Sequence, residues 1–355
     1  MSTVSRVINQ SVPVDSATEE RVRSAIQELG YRPNLLARSF RRRVTHTIGL
    51  LVPDNSNPFF AEVARTIEDA GFQEGYNVVL CNSGLSQDKQ DAYLDVLLAK
   101  QVDGLILVSG GLILRPGDQD PIQRVLEAGV PCVVVDRDLG DLPVDQVLVD
   151  NEQGGYLAGR YLVEQGHRRT ACILGPSDIT PSAGRFAGFE RALAEEDPSL
   201  APVAYLVSNG GNDGGEAAVH ELLRRGVHVT AIFVFNDLVA IGAHGALRRA
   251  GLRVPEDISL VSFDDVKLAS AVYPSLTTVA QPISEMAQLS VRLLLNRMVN
   301  HDAPYTRVLL STRLIERESC APPSHRDRPT ELAIPTGGVV PLNTRHPDSR
   351  RSGGP

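Results

Sequence analysis

Four polar clusters interrupt the apolar segments of this 355-residue chain: Asp54-Asn55-Ser56-Asn57, Asp136-Arg137, Asn236-Asp237 and Asp264-Asp265. Each lies at or just beyond the end of a β-branched run, where open parallel sheets bind ligands. Carboxylates accept hydrogen bonds, amides donate and accept, and a guanidinium donates in a fixed fork. Such a set can hold a polar ligand without breaking a bond in it. Bond-breaking machinery is not legible. There is no G-x-G-x-x-G after a strand, no G-x-S-x-G and no H-E-x-x-H, and His167 and His244 have no evident catalytic partners. The loop 208–215 resembles a phosphate cradle but lacks the lysine of a P-loop, so a flexible connection is expected. Cys81, Cys132, Cys172 and Cys320 lie far apart with no C-x-x-C pair. They read as small buried hydrophobes, not as a disulfide framework or a zinc site. No enzymatic activity, metal or cofactor is expected.

The elements that must position these clusters alternate regularly between residues 47 and 279. Short β-branched runs fall at 47–52, 77–81, 104–108, 131–135, 146–149, 170–174, 203–207, 231–235 and 259–263. Amphipathic stretches of helix length fall at 59–75, 88–101, 154–166, 184–195, 214–226 and 238–251. Gly75, Gly129, Gly166, Gly226 and Gly251 stand where a left-handed cap would end a helix. Apolar strands separated by such helices indicate parallel sheets covered on both faces, a doubly wound α/β architecture. One series closes near Asp150-Asn151 and a second follows. Two lobes are therefore expected, facing each other across a cleft lined by the polar clusters.

The first 47 residues differ in kind. Residues 3–9 carry a short helical pattern. Ser16-Ala17-Thr18-Glu19 reads as a capping box opening a helix that runs to Leu29 and stops at Gly30. Tyr31-Arg32-Pro33 breaks the chain before Asn34, which can cap a third helix reaching Arg42. This segment holds eight arginines against four carboxylates, net +4, which leaves −12 of the total −8 for the remainder. A basic end on an acidic body suits phosphate contact by one module only. No apolar run approaches the roughly 18–20 residues of a membrane span, and the start lacks a secretory core, so a cytoplasmic protein with no membrane partner is expected. From Pro322 the composition is that of a disordered tail.

Several strings together resemble the LacI/GalR family of repressors. They are Ser2-Thr3-Val4-Ser5-Arg6-Val7-Ile8-Asn9, Leu29-Gly30-Tyr31-Arg32-Pro33-Asn34, Asp54-Asn55-Ser56-Asn57-Pro58-Phe59-Phe60, Val102-Asp103-Gly104-Leu105-Ile106, Gly166-His167-Arg168-Arg169, Asn236-Asp237 with Ala240-Ile241-Gly242, Phe263-Asp264-Asp265 and Leu276-Thr277-Thr278-Val279 with Gln281. The match runs in unbroken order from about residue 2 to 320. The resemblance implies two Rossmann-like lobes of the periplasmic-binding-protein type I, preceded by a small all-α helix-turn-helix headpiece. The implied layout is a headpiece over 1–33, a hinge helix and linker over 34–45, a first lobe over 46–150 plus 282–305, a second over 151–281 plus 306–320, and a tail over 321–355.

Family members have a helix and a turn ahead of the recognition helix, and Met1 falls just before that helix here. A start codon assigned too late is the expected cause, with a genuine truncation as the alternative. A seven-residue helix is unstable alone, and Val4, Val7 and Ile8 would lack the helix they should pack against. In a complete module the resemblance implies Ser2, Thr3 and Arg6 at base edges or phosphates of operator DNA. It also implies contacts from Asn34, Ala37, Arg38, Phe40 and Arg41, with Phe40 in place of the usual leucine wedge.

The resemblance further implies a homodimer that binds a small sugar, with ribose or another pentose favoured by the set Asn57, Asp136, Arg137, Arg185, Asn236, Asp264 and Gln281. Phe59 and Phe60 would cover the apolar face of the ring. A transport-type sugar-binding protein, or a sensing partner without DNA contacts, are the alternatives.

Overall fold

The structure is a computed structural model that describes residues 3–9, 13–30, 44–108, 121–175 and 180–323. Runs of Val, Ile and Leu dictate the central strands, because residues apolar on both sides of the pleat must be covered on both faces. In β1 (Thr47–Val52), β3 (Gly104–Val108), β4 (Cys132–Val135) and β5 (Asp145–Val149) every residue but Thr47 is buried. With β2 (Asn77–Asn82) and β11 (Arg307–Leu310) they form a six-stranded parallel sheet in the order β11-β5-β4-β3-β1-β2. The second sheet orders β12-β10-β9-β8-β6-β7. Its strands are β6 (Thr170–Leu174), β7 (Ala204–Val207), β8 (Ala231–Val234), β9 (Ser259–Asp264), β10 (Thr277–Ala280) and β12 (Arg313–Ile315). All pair in parallel except β12, which runs antiparallel to β10.

Helices α3 (Pro58–Gln73), α4 (Gln87–Ala99) and α5 (Pro121–Glu127) cover the first sheet. Helices α6 (Asn151–Glu164), α7 (Thr180–Glu196), α8 (Asn212–Arg224), α9 (Asp237–Arg249) and the short α10 (Lys267–Ala271) belong to the second lobe. Helix α11 (Ile283–Val299) returns to pack on α3, β4 and β5. Each expected glycine cap has a positive φ, from 64° at Gly226 to 97° at Gly166. The chain thus crosses between the lobes at Asp150-Asn151, at Gln281-Pro282, and between Leu310 and Arg313. This last crossing corrects the expected boundary at 306. Residues 307–310 extend the first sheet beside β5, and only 313–315 join the second. Two of the four edge strands also depart from the expectation of strands covered on both faces: Val79 and Leu80 of β2 and Tyr205 and Val207 of β7 are exposed.

A buried ion pair ties α11 to its lobe. Asp145 accepts from Arg297 Nε at 2.9 Å and Nη2 at 3.2 Å, and from the Thr306 amide at 2.8 Å. Arg297 also donates to the carbonyls of His301, Ala303 and Pro304. Removing one partner strands the other in a low dielectric, so Asp145→Ala is expected to cost about 3–5 kcal/mol, read as a lower urea midpoint.

At the amino end, α1 (Thr3–Asn9) contacts α2 (Ser16–Glu28) and buries Val7, while Val4 stays 47 % exposed. The cap of α2 is Asp15, whose carboxylate accepts from the Thr18 amide at 3.2 Å, one residue before the expected Ser16.

Candidate functional site

The candidate site's side chains sit on strand ends and in the first turns of helices. Asp136 follows β4 and Asp264 ends β9, with φ values of 60° and 114° that non-glycine residues rarely adopt. Such strain concentrates where a side chain must be aimed at a fixed point. Arg185 comes from α7, and its placement depends on how closely α7 meets α6. A Cβ on Gly155 would stand 1.7 Å from the Arg185 carbonyl oxygen, and one on Gly188 would stand 1.8 Å from that of Glu152. Only glycine permits this backbone approach.

Arg185 is the centre of the site and is 4 % exposed. Its Nε donates to Asn151 Oδ1 at 2.8 Å, and Nη1 donates to the Phe235 carbonyl at 2.6 Å and to Asp264 Oδ1 at 3.3 Å. The guanidinium lies 3.8 Å over the Phe263 ring. Gln281 Nε2 donates to the same Asp264 oxygen at 2.7 Å, and Gln281 Oε1 is buried with no protein partner. Asn151 Nδ2 donates to Asp136 Oδ1 at 3.5 Å and to the Val149 carbonyl at 3.1 Å. The result is a chain of polar groups, Asp136–Asn151–Arg185–Asp264–Gln281, running from one lobe into the other.

Other expected site residues stand in different roles. Asn57 caps α3 by accepting from the Phe59 amide at 3.0 Å, and Asn236 caps α9 by accepting from the Val239 amide at 2.8 Å. Both are buried, with the amide nitrogen of Asn236 3.4 Å from the Gly210 carbonyl. The two phenylalanines divide. Phe59 is 3 % exposed in the first lobe's core, whereas Phe60 packs edge-on against it at 5.1 Å and keeps some surface. Arg137 is half-buried beside Asp136. Asp54 is occupied by Ser56, and Asp265 by Arg317. Asp237 is fully buried and accepts from Ser262, Thr278 and the Val266 amide, binding α9 to β9 and β10. The loop 208–215 is a helix entry, with Asn209 accepting from the Gly211 amide and donating to Asp213. Asn151 was not anticipated as a site residue. Its signal was the polar pair Asp150-Asn151 directly after β5, the same pattern that marks the other clusters.

Burial dominates the electrostatics. It pushes Asp136 up to about 6, against the lowering influence of Arg185 and the Asn151 amide. It pushes Asp264 up to about 7, again opposed by Arg185. One guanidinium between two buried carboxyls is not enough to restore ordinary acidity. Because the folded value of Asp264 lies above that of a free carboxyl, its contribution to stability is complete below pH 3.8 and lost as pH rises through about 7. Burial lowers His167 and His244, which act in the opposite sense below 6.5. A comparison with Asp264→Asn cancels the histidines: between pH 6 and pH 8 the melting temperature of the wild type is expected to fall relative to the variant.

On α1, Thr3 and Arg6 are exposed. The other residues expected at DNA (Ser2, Asn34, Ala37, Arg38, Phe40 and Arg41) lie outside the described residues, as does most of the tail. Among the described residues no helix is long and apolar enough to cross a membrane.

A family model described as "Bacterial regulatory proteins, lacI family" matches residues 1–34, and one described as "Periplasmic binding protein-like domain" matches residues 160–320. The ribose operon repressor of Escherichia coli (strain K12) is 37 % identical over 321 residues, covering 90 % of this chain and 95 % of the relative. The chain belongs to the LacI family. It is a transcription repressor of that family, a regulator and not an enzyme. The HTH-type transcriptional repressor PurR of Aliivibrio fischeri (strain MJ11) is also 37 % identical, over 85 % of this chain and 89 % of its own length. Among solved structures, the lac repressor dimer bound to operator and the anti-inducer ONPF has a TM-score of 0.78 at 29 % identity, covering 90 % of this chain and 94 % of that one. A LacI-family regulator from Enterococcus faecium with bound ribose has a TM-score of 0.71 at 32 % identity, covering 78 % of this chain and all of that one.

Proposed function

We propose that this repressor senses ribose, or another pentose, in the cleft between its lobes, and that ligand-driven closure changes its affinity for operator DNA. The observation that carries the reading is the polar chain across the lobes, one end of which is a buried acceptor with no protein partner. Gln281 Oε1 has no protein partner, and each carboxylate can take more than one donor. A pentose offers hydroxyls around its ring that donate to such acceptors, while Arg185 and the amides donate in return. The partly exposed Phe60 can cover an apolar ring face. The Escherichia coli relative is a ribose operon repressor, and the Enterococcus faecium regulator was solved with bound ribose. A purine is the second reading, favoured by the equal identity to PurR.

The working unit is a homodimer, on the pattern of the lac repressor dimer bound to operator, and it acts in the cytoplasm. Thr3 and Arg6, both exposed on α1, contact bases or phosphates of the operator. Effector and operator couple because the ligand binds the closed arrangement better than the open one, which demands a difference in affinity between two states. The test is fluorescence anisotropy on operator fragments selected in vitro, with and without ribose. Ribose is expected to shift DNA affinity about tenfold or more, about 1.4 kcal/mol of coupling. A shift with a purine base and none with any pentose would overturn the sugar assignment.

A further inference from the structure

The chain passes between the lobes three times, and Asn151 stands at the first of these crossings, at the start of α6. One amide there faces two ways. Its Oδ1 accepts from Arg185 Nε at 2.8 Å within the second lobe, and its Nδ2 donates to Asp136 of the first lobe at 3.5 Å. The Nδ2 group is also anchored to the Val149 carbonyl at 3.1 Å, and Asp150 fixes the helix start by accepting from the Gln153 amide at 2.8 Å. The remaining bonds of Arg185, to the Phe235 carbonyl and Asp264, stay inside the second lobe. The seat of Asn151 is rigid, because α6 meets α7 backbone to backbone at Gly155 and Gly188.

We propose that Asn151 is a positioning residue that couples the lobes, tying Asp136 to the arginine of the opposite lobe and fixing both in the arrangement the ligand binds. Opening the cleft stretches the link to Asp136 while Arg185 stays with its own lobe. The inference rests on the sugar-sensing reading only in its ligand measurement. Several charged groups face this amide or its partners. Arg185 comes from α7, Asp136 from the turn after β4, and Asp264 from β9 with Asp237 behind it. On its own element Glu152 turns away to Arg191, and Asp150 is held by the Gln153 amide. The amide N–H stabilises the ionised form of Asp136, so removing it raises that carboxyl further.

Two measurements on the full chain separate this role from simple support. In Asn151→Ala, ribose affinity measured by calorimetry is expected to fall about tenfold, with the larger loss at pH 6, where binding must first strip a proton from Asp136. Thermal stability without ribose is expected to show the reverse, a larger loss at pH 8, where Asp136 is ionised and the stabilising Asn151 N–H is gone. Asn151→Asp keeps an acceptor for Arg185 but sets a second carboxylate beside Asp136, so it is expected to bind ribose more weakly than the wild type. Losses of equal size at both pH values, or wild-type binding by Asn151→Asp, would overturn the proposal. Should the wild type bind no pentose, the sugar reading fails, and the ligand-free melting comparison still decides the role of Asn151.

Discussion

Replacing Arg185 with methionine is expected to abolish ligand binding and to destabilise the protein by about 3–5 kcal/mol at neutral pH. The guanidinium is buried, and it supplies hydrogen bonds to Asn151, the Phe235 carbonyl and Asp264. Without it the Asp264 and Asp136 carboxyls face one another's field in a desolvated cleft. Asp264, already pushed up to about 7, then takes a proton more readily, so part of the lost stability is expected to return on acidification. Lysine is not an adequate substitute: it keeps the charge but cannot reproduce the planar fork that reaches three acceptors and lies over Phe263. Arg185→Lys is expected to recover some stability and little binding. Urea midpoints at pH 5.5 and pH 8, with ribose calorimetry, check both variants. Ribose binding by Arg185→Met within about tenfold of the wild type would remove the arginine from the centre of the site.

Gly155→Val is expected to have an effect of similar size by a different route. A Cβ at this position meets the Arg185 backbone oxygen at 1.7 Å, and no rotamer change relieves a clash with backbone. Helix α7 must move away from α6 and take Arg185 with it. Overpacking in cores costs typically about 1–3 kcal/mol and occasionally more, and a backbone obstacle places this case at the upper end. Gly188→Ala meets the Glu152 oxygen at 1.8 Å and is expected to behave alike. Gly245→Ala is the control. Its nearest neighbour is Arg249 Nη1 at 3.4 Å, the far end of a flexible side chain, and alanine is the better helix former by about 0.5–1 kcal/mol. Thermal unfolding is expected to show a large loss for the first two and none for the third.

The central strands and their helices were legible because a Val/Ile/Leu run buried on both faces has few other places to go. Legibility failed where burial is one-sided or short. Strand β11 alternates exposed and covered positions, and its residues read equally well in either lobe. Strand β12 is three residues long. The polar residues of the candidate site were legible as a set of positions, not as a set of roles. A sequence shows that Asn57 and Asn236 begin helices beside a cleft, but capping and ligand binding call for the same residue type at the same place. Asp237 stands in the same kind of cluster as Asp264 but outside the expected binding set, and three hydrogen bonds spend it on holding strands together. Asn151 was read as a boundary between lobes, and that boundary is what gives its amide access to both.

The most direct test of the account is titration calorimetry of ribose into the full chain at pH 8, beside xylose, arabinose and a purine base. The account predicts one ribose site per chain, with heat lost in Arg185→Met and reduced in Gln281→Leu, which removes the buried acceptor. No heat with any pentose, or a purine base binding in the same cleft with the same dependence on Arg185, would contradict it.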